Sequence, residues 1–218
     1  MSALRRHDTV EEPVDLGGRR VRLVRPRSPD DLLEQAAARG ARSAPYWAEL
    51  WPSARGLAEH LAGQDLSGLR SVELGCGIGL GSVGAALGGA DVLATDIEPD
   101  AVAFAAENGR RAIGRRIATL VVDVADLPAA LLERGPFDLV LAADVLYEEA
   151  LAAAVAAAIP RLLAPGGSAL VAYPWRGQGE ALGHSLAAGG LRVTHGELQT
   201  LERGRPFTVR LVRVESPT

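Results

Sequence analysis

The sequence predicts an α/β fold built on a mostly parallel sheet with helices on both faces, and three observations predict it. From residue 69 onward, apolar runs of strand length alternate with helix-like stretches. A turn carrying Gly75, Gly77 and Gly79 follows the first of those runs directly. Finally, Glu73, Asp96 and Asp123 stand at the carboxyl ends of three successive runs, where open α/β sheets form their ligand crevices.

In chain order, the first element is a hairpin. In V-D-L-G-G-R-R-V-R-L-V the pair Gly17-Gly18 suits a two-residue turn, and Arg20 and Arg22 face away from Val21 and Leu23. Ser28-Pro29-Asp30-Asp31 then caps a helix that runs to about Arg39 and stops at Gly40. The strand-length runs lie at 71–74, 90–94, 117–122, 137–142, 168–173, 191–195 and 207–214. Helix-like stretches at 80–87, 99–108, 127–134, 148–163 and 179–188 separate the first six, and Pro160 is placed to end or kink the fourth near its last turn. The last run, F-T-V-R-L-V-R-V, alternates over part of its length, as an antiparallel edge strand does.

Composition narrows the function classes. A chain of 218 residues, 48% of them hydrophobic, buries one sizeable core. The expected organisation is one globular unit in which an N-terminal extension, 1–68, packs on a core, 69–218. The net charge of −4 offers a polyanion no general attraction, so nucleic acid is not an expected partner. Cys76 is the sole cysteine and no apolar run is long enough to span a bilayer, which fits a cytoplasmic protein without a membrane partner. We expect a monomer. All 23 basic residues are arginine. The arginines of 19–27 read either as a solvated hairpin face or as a docking face for an acidic partner.

The glycine turn follows a strand and opens a helix, so bare backbone can approach a ligand there and the helix N-terminus favours negative charge. A dinucleotide spacing, G-x-G-x-x-G, exists at Gly79, Gly81 and Gly84, but its first glycine comes too late after the strand. The earlier glycines suit a ligand ending in an ammonium and a carboxylate, with Glu73 attracting the ammonium. Asp96, at the end of V-L-A-T-D, can accept both hydroxyls of a ribose, and Asp123 and Val124 lie where an adenine edge would fall.

E-L-G-C-G-I-G and A-T-D-I-E-P-D resemble the first two motifs of the class I, seven-strand S-adenosylmethionine-dependent methyltransferases. The resemblance implies a Rossmann-like seven-stranded sheet with an antiparallel last strand. It also implies S-adenosyl-L-methionine as cofactor, with Glu73, Gly75, Cys76, Gly77 and Gly79 at its methionine part, Asp96 and Ile97 at its ribose, and Asp123 and Val124 at its adenine. After the fourth run, A-D-V-L-Y places Asp144 and Tyr147 three residues apart beside Ala143. This resembles the D-x-x-Y signature of the methyltransferase 16 family of protein lysine methyltransferases. A-P-Y-W-A-E-L-W-P-S-A-R-G-L-A-E-H-L resembles that family's segment ahead of the first motif, nearest to the branch acting on the electron transfer flavoprotein beta subunit. Trp51 then matches a tryptophan that packs on the cofactor. The competing reading makes Trp47 and Trp51 two core residues at helical spacing.

The resemblance implies methyl transfer to an amine nitrogen, most simply a lysine of a protein substrate, with Asp144 orienting the amine and stabilising its developing charge and Tyr147 walling the pocket. Other chemistries fit less well. Adenine amino-methylation uses Pro-Pro where Val145-Leu146 stand, and cytosine chemistry needs a Pro-Cys nucleophile. His7, His60, His184 and His195 show no metal-ligand spacing, so no metal is expected. A small-molecule N-methyltransferase of the nicotinamide or amine type remains on the same fold. A nicotinamide-dependent oxidoreductase, or a binding protein without catalysis, would need Gly79 to Gly84 to make the turn.

Overall fold

A computed structural model describes residues 3–38, 45–174, 179–202 and 204–217. β1 (Thr9–Leu16) and β2 (Arg19–Pro26) form an antiparallel two-stranded sheet, turned by Gly17 and Gly18 at φ +63° and +83°. Positive φ at both positions is what such a tight hairpin requires. Arginines of this hairpin are engaged within the chain: Arg25 with Glu12, Arg27 with Asp8, Arg22 with Glu11, and Arg19 with the Leu87 carbonyl. α1 (Pro29–Ala38) starts with the Ser28 hydroxyl accepting the Asp31 N–H at 3.3 Å. The expected stop at Gly40 lies outside the described residues.

A single turn of 3-10 helix, Tyr46–Ala48, precedes α2 (Pro52–Ala62). Trp47 and Trp51 therefore do not share a helix. Their spacing of four spans the 3-10 turn and the break before Pro52, so Trp47 turns inward and Trp51 outward.

The main sheet contains β3 (Arg70–Leu74), β4 (Asp91–Asp96), β5 (Ala118–Val121), β6 (Phe137–Ala143), β7 (Leu163–Tyr173), β8 (Arg192–Glu202) and β9 (Arg205–Glu215), in the order β5-β4-β3-β6-β7-β9-β8. The helices between them are α3 (Leu80–Leu87), α4 (Pro99–Ile113), α5 (Ala129–Leu132), α6 (Glu149–Leu162) and α7 (Gly179–Ala188). Pro160 sits two residues before the end of α6, in its last turn, where it cannot donate an N–H to the carbonyl of Ala156 and the helix ends soon after. Two buried clusters hold the helices to the sheet. A third joins Val24 of the hairpin to Trp47, Ile78 and Phe104.

The expected edge strand is misplaced by the sequence. β9 is antiparallel, but it lies between β7 and β8, and β8 forms the edge. The partial alternation has a geometric cause. Arg210 to Glu215 pair on both sides, whereas among the described residues positions 205–209 pair with β8 alone, β7 ending at Tyr173 opposite Arg210. The β8–β9 hairpin thus projects past the carboxyl end of β7. β8 also runs seven residues beyond the expected 195, because an exposed edge strand shows little apolar periodicity. β7 starts earlier than predicted, through an irregular Leu163 to Gly167 stretch that shifts its register on β6.

Candidate functional site

The site occupies the carboxyl ends of β3, β4, β5 and β6. Between β3 and α3 the chain turns with Gly75, Gly77 and Gly79 at φ +67°, +53° and +87°. Close packing also excludes side chains at these glycines. A Cβ on Gly75 would meet Val145 at 2.6 Å, one on Gly77 the Trp47 carbonyl oxygen at 3.0 Å, and one on Gly79 Ala105 at 2.6 Å. Gly81 and Gly84 lie inside α3, where they admit Glu73 and the backbone of α2 at Ala58. The late glycines are packing residues. They do not form a dinucleotide turn.

Backbone and acidic groups fix the shape of this turn. Cys76 donates its N–H to the Thr95 carbonyl at 2.8 Å, and Gly77 donates to Asp96 Oδ2 at 2.9 Å. The other Asp96 oxygen accepts the Glu98 N–H at 3.0 Å. Burial raises the Asp96 carboxyl above its ordinary value, and hydrogen bonds from the Glu98 and Gly77 N–H groups oppose that rise. Glu73 does not sit at an open strand end as the sequence suggests. It lies beneath the turn, buried, with Oε2 accepting both the backbone N–H of Ser82, at 2.7 Å, and the Ser82 hydroxyl. Burial pushes its carboxyl up to about 7 despite those bonds, and Asp96 adds to the rise. Burial is also the main reason the Cys76 thiol is raised. Ile97 is 55% exposed at the rim, Asp123 is exposed with one oxygen on the Ala125 N–H, and Val124 is half-buried.

All the sequence-predicted cofactor residues line one crevice: Trp51, Glu73, Gly75, Cys76, Gly77, Asp96, Ile97, Asp123, Val124 and Ala143, with Asp144 and Tyr147 among them, save that Gly79 stands just behind as the N-cap of α3. A second hollow, of about 650 Å³, adjoins it and is lined in part by Pro174, Glu148, Glu202 and Phe207. Tyr46, Trp51, Asp144 and Tyr147 belong to both walls.

Asp144 has φ +56°, and among the described residues it is the only non-glycine at positive φ. Its Oδ2 accepts the Ser53 N–H at 3.1 Å, so the carboxylate caps the N-terminus of α2 from across the site. Burial pushes this carboxyl up to about 6 even though Ser53 and Ala54 donate to it. Tyr147 packs edge-on against Tyr46 with ring centres 5.4 Å apart, and Tyr46 packs edge-on against Trp51 at 6.1 Å. The Trp51 indole N–H donates to the Tyr46 carbonyl at 2.9 Å. Trp47, by contrast, is buried against His7 and Phe104.

Three positioning residues escape sequence reasoning. Ser82 holds Glu73, and Ser53 holds Asp144, yet a serine in the first turn of a helix carries no signal for a partner so distant in sequence. Asn108 is fully buried and makes three bonds: its amide donates to the Val24 and Ile78 carbonyls at 3.0 and 2.8 Å, and its oxygen accepts the Val24 N–H at 2.7 Å. It fastens the N-terminal hairpin to the glycine turn. Its being the sole asparagine, on the inner face of a helix, is the one signal the sequence offers.

A family model described as a methyltransferase domain matches residues 65–199. The chain is 34% identical over 116 residues to the electron transfer flavoprotein beta subunit lysine methyltransferase of Danio rerio, covering 50% of this chain and 41% of that one. It is 32% identical over 151 residues to the Xenopus laevis protein of the same name, covering 61% and 52%. The chain thus spans about half the length of these curated relatives. Among solved structures, the N-methyltransferase NodS of Bradyrhizobium japonicum WM9, in complex with S-adenosyl-L-homocysteine, superposes with a TM-score of 0.60 at 20% identity, covering 87% of this chain and 100% of that one. That likeness establishes the shared fold. With the family model spanning most of the chain, this protein belongs to the methyltransferase-domain family.

Proposed function

We propose that the chain is an S-adenosylmethionine-dependent N-methyltransferase whose acceptor is a lysine side chain of a protein. The observation that carries this reading is the shared wall: Tyr46, Trp51, Asp144 and Tyr147 separate a crevice suited to the cofactor from a hollow open to an acceptor. The names of the relatives in Danio rerio and Xenopus laevis favour lysine as that acceptor.

The crevice suits the cofactor on its own chemistry. The turn at Gly75 and Gly77 leaves backbone where any Cβ would crowd a neighbour, Asp96 presents a buried carboxylate for ribose hydroxyls with Ile97 exposed beside it, and half-buried Val124 offers an apolar surface to the base. When bound, S-adenosylmethionine supplies a methyl group whose bond to sulfur breaks as a bond to the acceptor nitrogen forms.

The acceptor must be neutral when it attacks the methyl group. A lysine amine of ordinary pKa is only about 0.1% neutral near pH 7.4, a cost of roughly 4 kcal/mol. A carboxylate nearby raises that pKa further, so Asp144 does not assist deprotonation. Its task is to orient the lone pair and to stabilise the positive charge that grows on nitrogen, while water takes the proton before the methyl is transferred. The cap on α2 prevents the carboxylate from drifting, and Tyr147, Tyr46 and Trp51 give the amine aromatic walls that attract cations.

The test is to incubate the protein with methyl-labelled S-adenosylmethionine and a bacterial lysate, then separate protein, nucleic acid and small molecules. Label in a discrete protein band, absent with Asp144→Asn, is expected. Label confined to the small-molecule fraction would overturn the protein acceptor.

A further inference from the structure

The hollow beside the shared wall is partly built by an element far from the cofactor crevice. Because β7 stops at Tyr173, the tip of the β8–β9 hairpin extends beyond the carboxyl edge of the sheet. It brings exposed Glu202 and half-buried Phe207 to the hollow that Tyr46, Trp51, Asp144 and Tyr147 close on the other side. Glu148, at the start of α6, adds a second exposed acid.

Resting on the methyltransferase reading above, we infer that Glu202 is a specificity-determining residue, which with Phe207 selects a cationic amine on an extended segment of the protein substrate. Three features converge on this role. The hollow is walled by aromatic side chains, whose faces hold ammonium groups better than they hold neutral ones. Its acids, Asp144, Glu148 and Glu202, include no basic counterpart among the described lining residues. Arg205 faces Glu202 in the strand register, and among the described residues no ion pair joins them.

The division of labour follows from exposure. Asp144 is desolvated and fixed by Ser53, so its charge acts at the reacting nitrogen. Glu202 is solvated, so its attraction is modest, reaches outward and weakens with salt. The Glu202 charge nonetheless reaches Asp144 and adds to the rise of its carboxyl, which places the two acids within one electrostatic site. An amine entering past Glu202 would meet the aromatic walls next and Asp144 last.

The experiment is calorimetric titration of the full chain with an N-terminally acetylated tetralysine amide, whose only amines are side-chain ones. The same peptide with every lysine acetylated is the neutral control. Wild type should bind the cationic peptide and not the control. Glu202→Gln should bind it about threefold to tenfold more weakly, a deficit that shrinks as salt rises, and Glu202→Asp should recover part of the loss. Unchanged S-adenosylmethionine affinity and melting temperature in both variants exclude a folding defect. Equal affinities for wild type and Glu202→Gln, equal binding of the acetylated peptide, or no binding by wild type would each overturn the inference. Binding that depends on Glu202, without label transfer to the peptide, would support the cation subsite and count against lysine methylation itself.

Discussion

Asp144 Oδ2 accepts the backbone N–H of Ser53 at 3.1 Å, so the carboxylate proposed to face the acceptor is also the cap that holds α2 in place. Asp144→Asn retains an acceptor oxygen for Ser53 and a side chain tolerant of φ +56°, while removing the charge. Asp144→Ala loses the cap and strains the backbone. Methyl transfer should fall by at least a hundredfold in both, whereas only the alanine variant should lose stability, by about 2 kcal/mol. Thermal denaturation beside a labelled-transfer assay checks this, and an active asparagine variant would remove the charge from the mechanism.

The Asp144 carboxyl also sets a pH dependence. With its value raised to about 6, the ionised form declines as pH falls through 6, and kcat/KM should fall close to tenfold per unit below that point. The acceptor amine produces a separate rise toward alkaline pH. In the asparagine variant the limb near pH 6 should vanish while the alkaline limb remains.

Glu73 makes the opposite kind of prediction, about stability. Its folded value of about 7 exceeds the ordinary 4.5, so protonated Glu73 favours the folded state. That contribution is complete below about pH 4.5 and is lost as pH rises through 7, on the order of 3 kcal/mol for this group alone. Glu73→Gln should flatten the melting temperature across that window. If the cofactor ammonium pairs with ionised Glu73, binding should release a proton below pH 7, which calorimetry in two buffers of different ionisation enthalpy would count.

Asn108 links Val24 to Ile78, and no other described side chain bonds both the hairpin and the glycine turn. Asn108→Ala would leave two buried carbonyls and one N–H without partners, a loss of about 3 kcal/mol, or roughly 10 °C in melting temperature. Because Ile78 lies in the turn, S-adenosylmethionine affinity should weaken as well. Isothermal titration of the variant below its melting temperature would show it.

Gly79→Ala tests the turn directly. At φ +87°, with Ala105 Cβ only 2.6 Å from the added carbon, the substitution combines backbone strain of about 1–2 kcal/mol with a clash against α4. Cofactor binding should be lost before folding is. Gly196→Ala, where an added Cβ meets nothing within 4 Å, is the neutral control.

Much of this protein was determined locally, and so could be read in order along the chain. The strand and helix alternation, the hairpin at Gly17-Gly18 and the glycine turn depend on nearest neighbours, on apolar period and on φ values that favour glycine. The acids at strand ends followed, because a parallel sheet aligns its carboxyl ends on one side. The tertiary structure alone decided what depends on contacts between distant segments. Glu73 looked like an open strand end until Ser82 and the gap at Gly81 enclosed it, and the competing reading of Trp47 and Trp51 as a helical pair fails at the break between Ala48 and Pro52. β9 alternated like an edge strand because only its first half is one. Asp144 capping Ser53, Asn108 fastening Val24 to Ile78, and Glu202 lining the same hollow as Asp144 join residues far apart in sequence, and their geometry is set by packing, for which no local pattern exists.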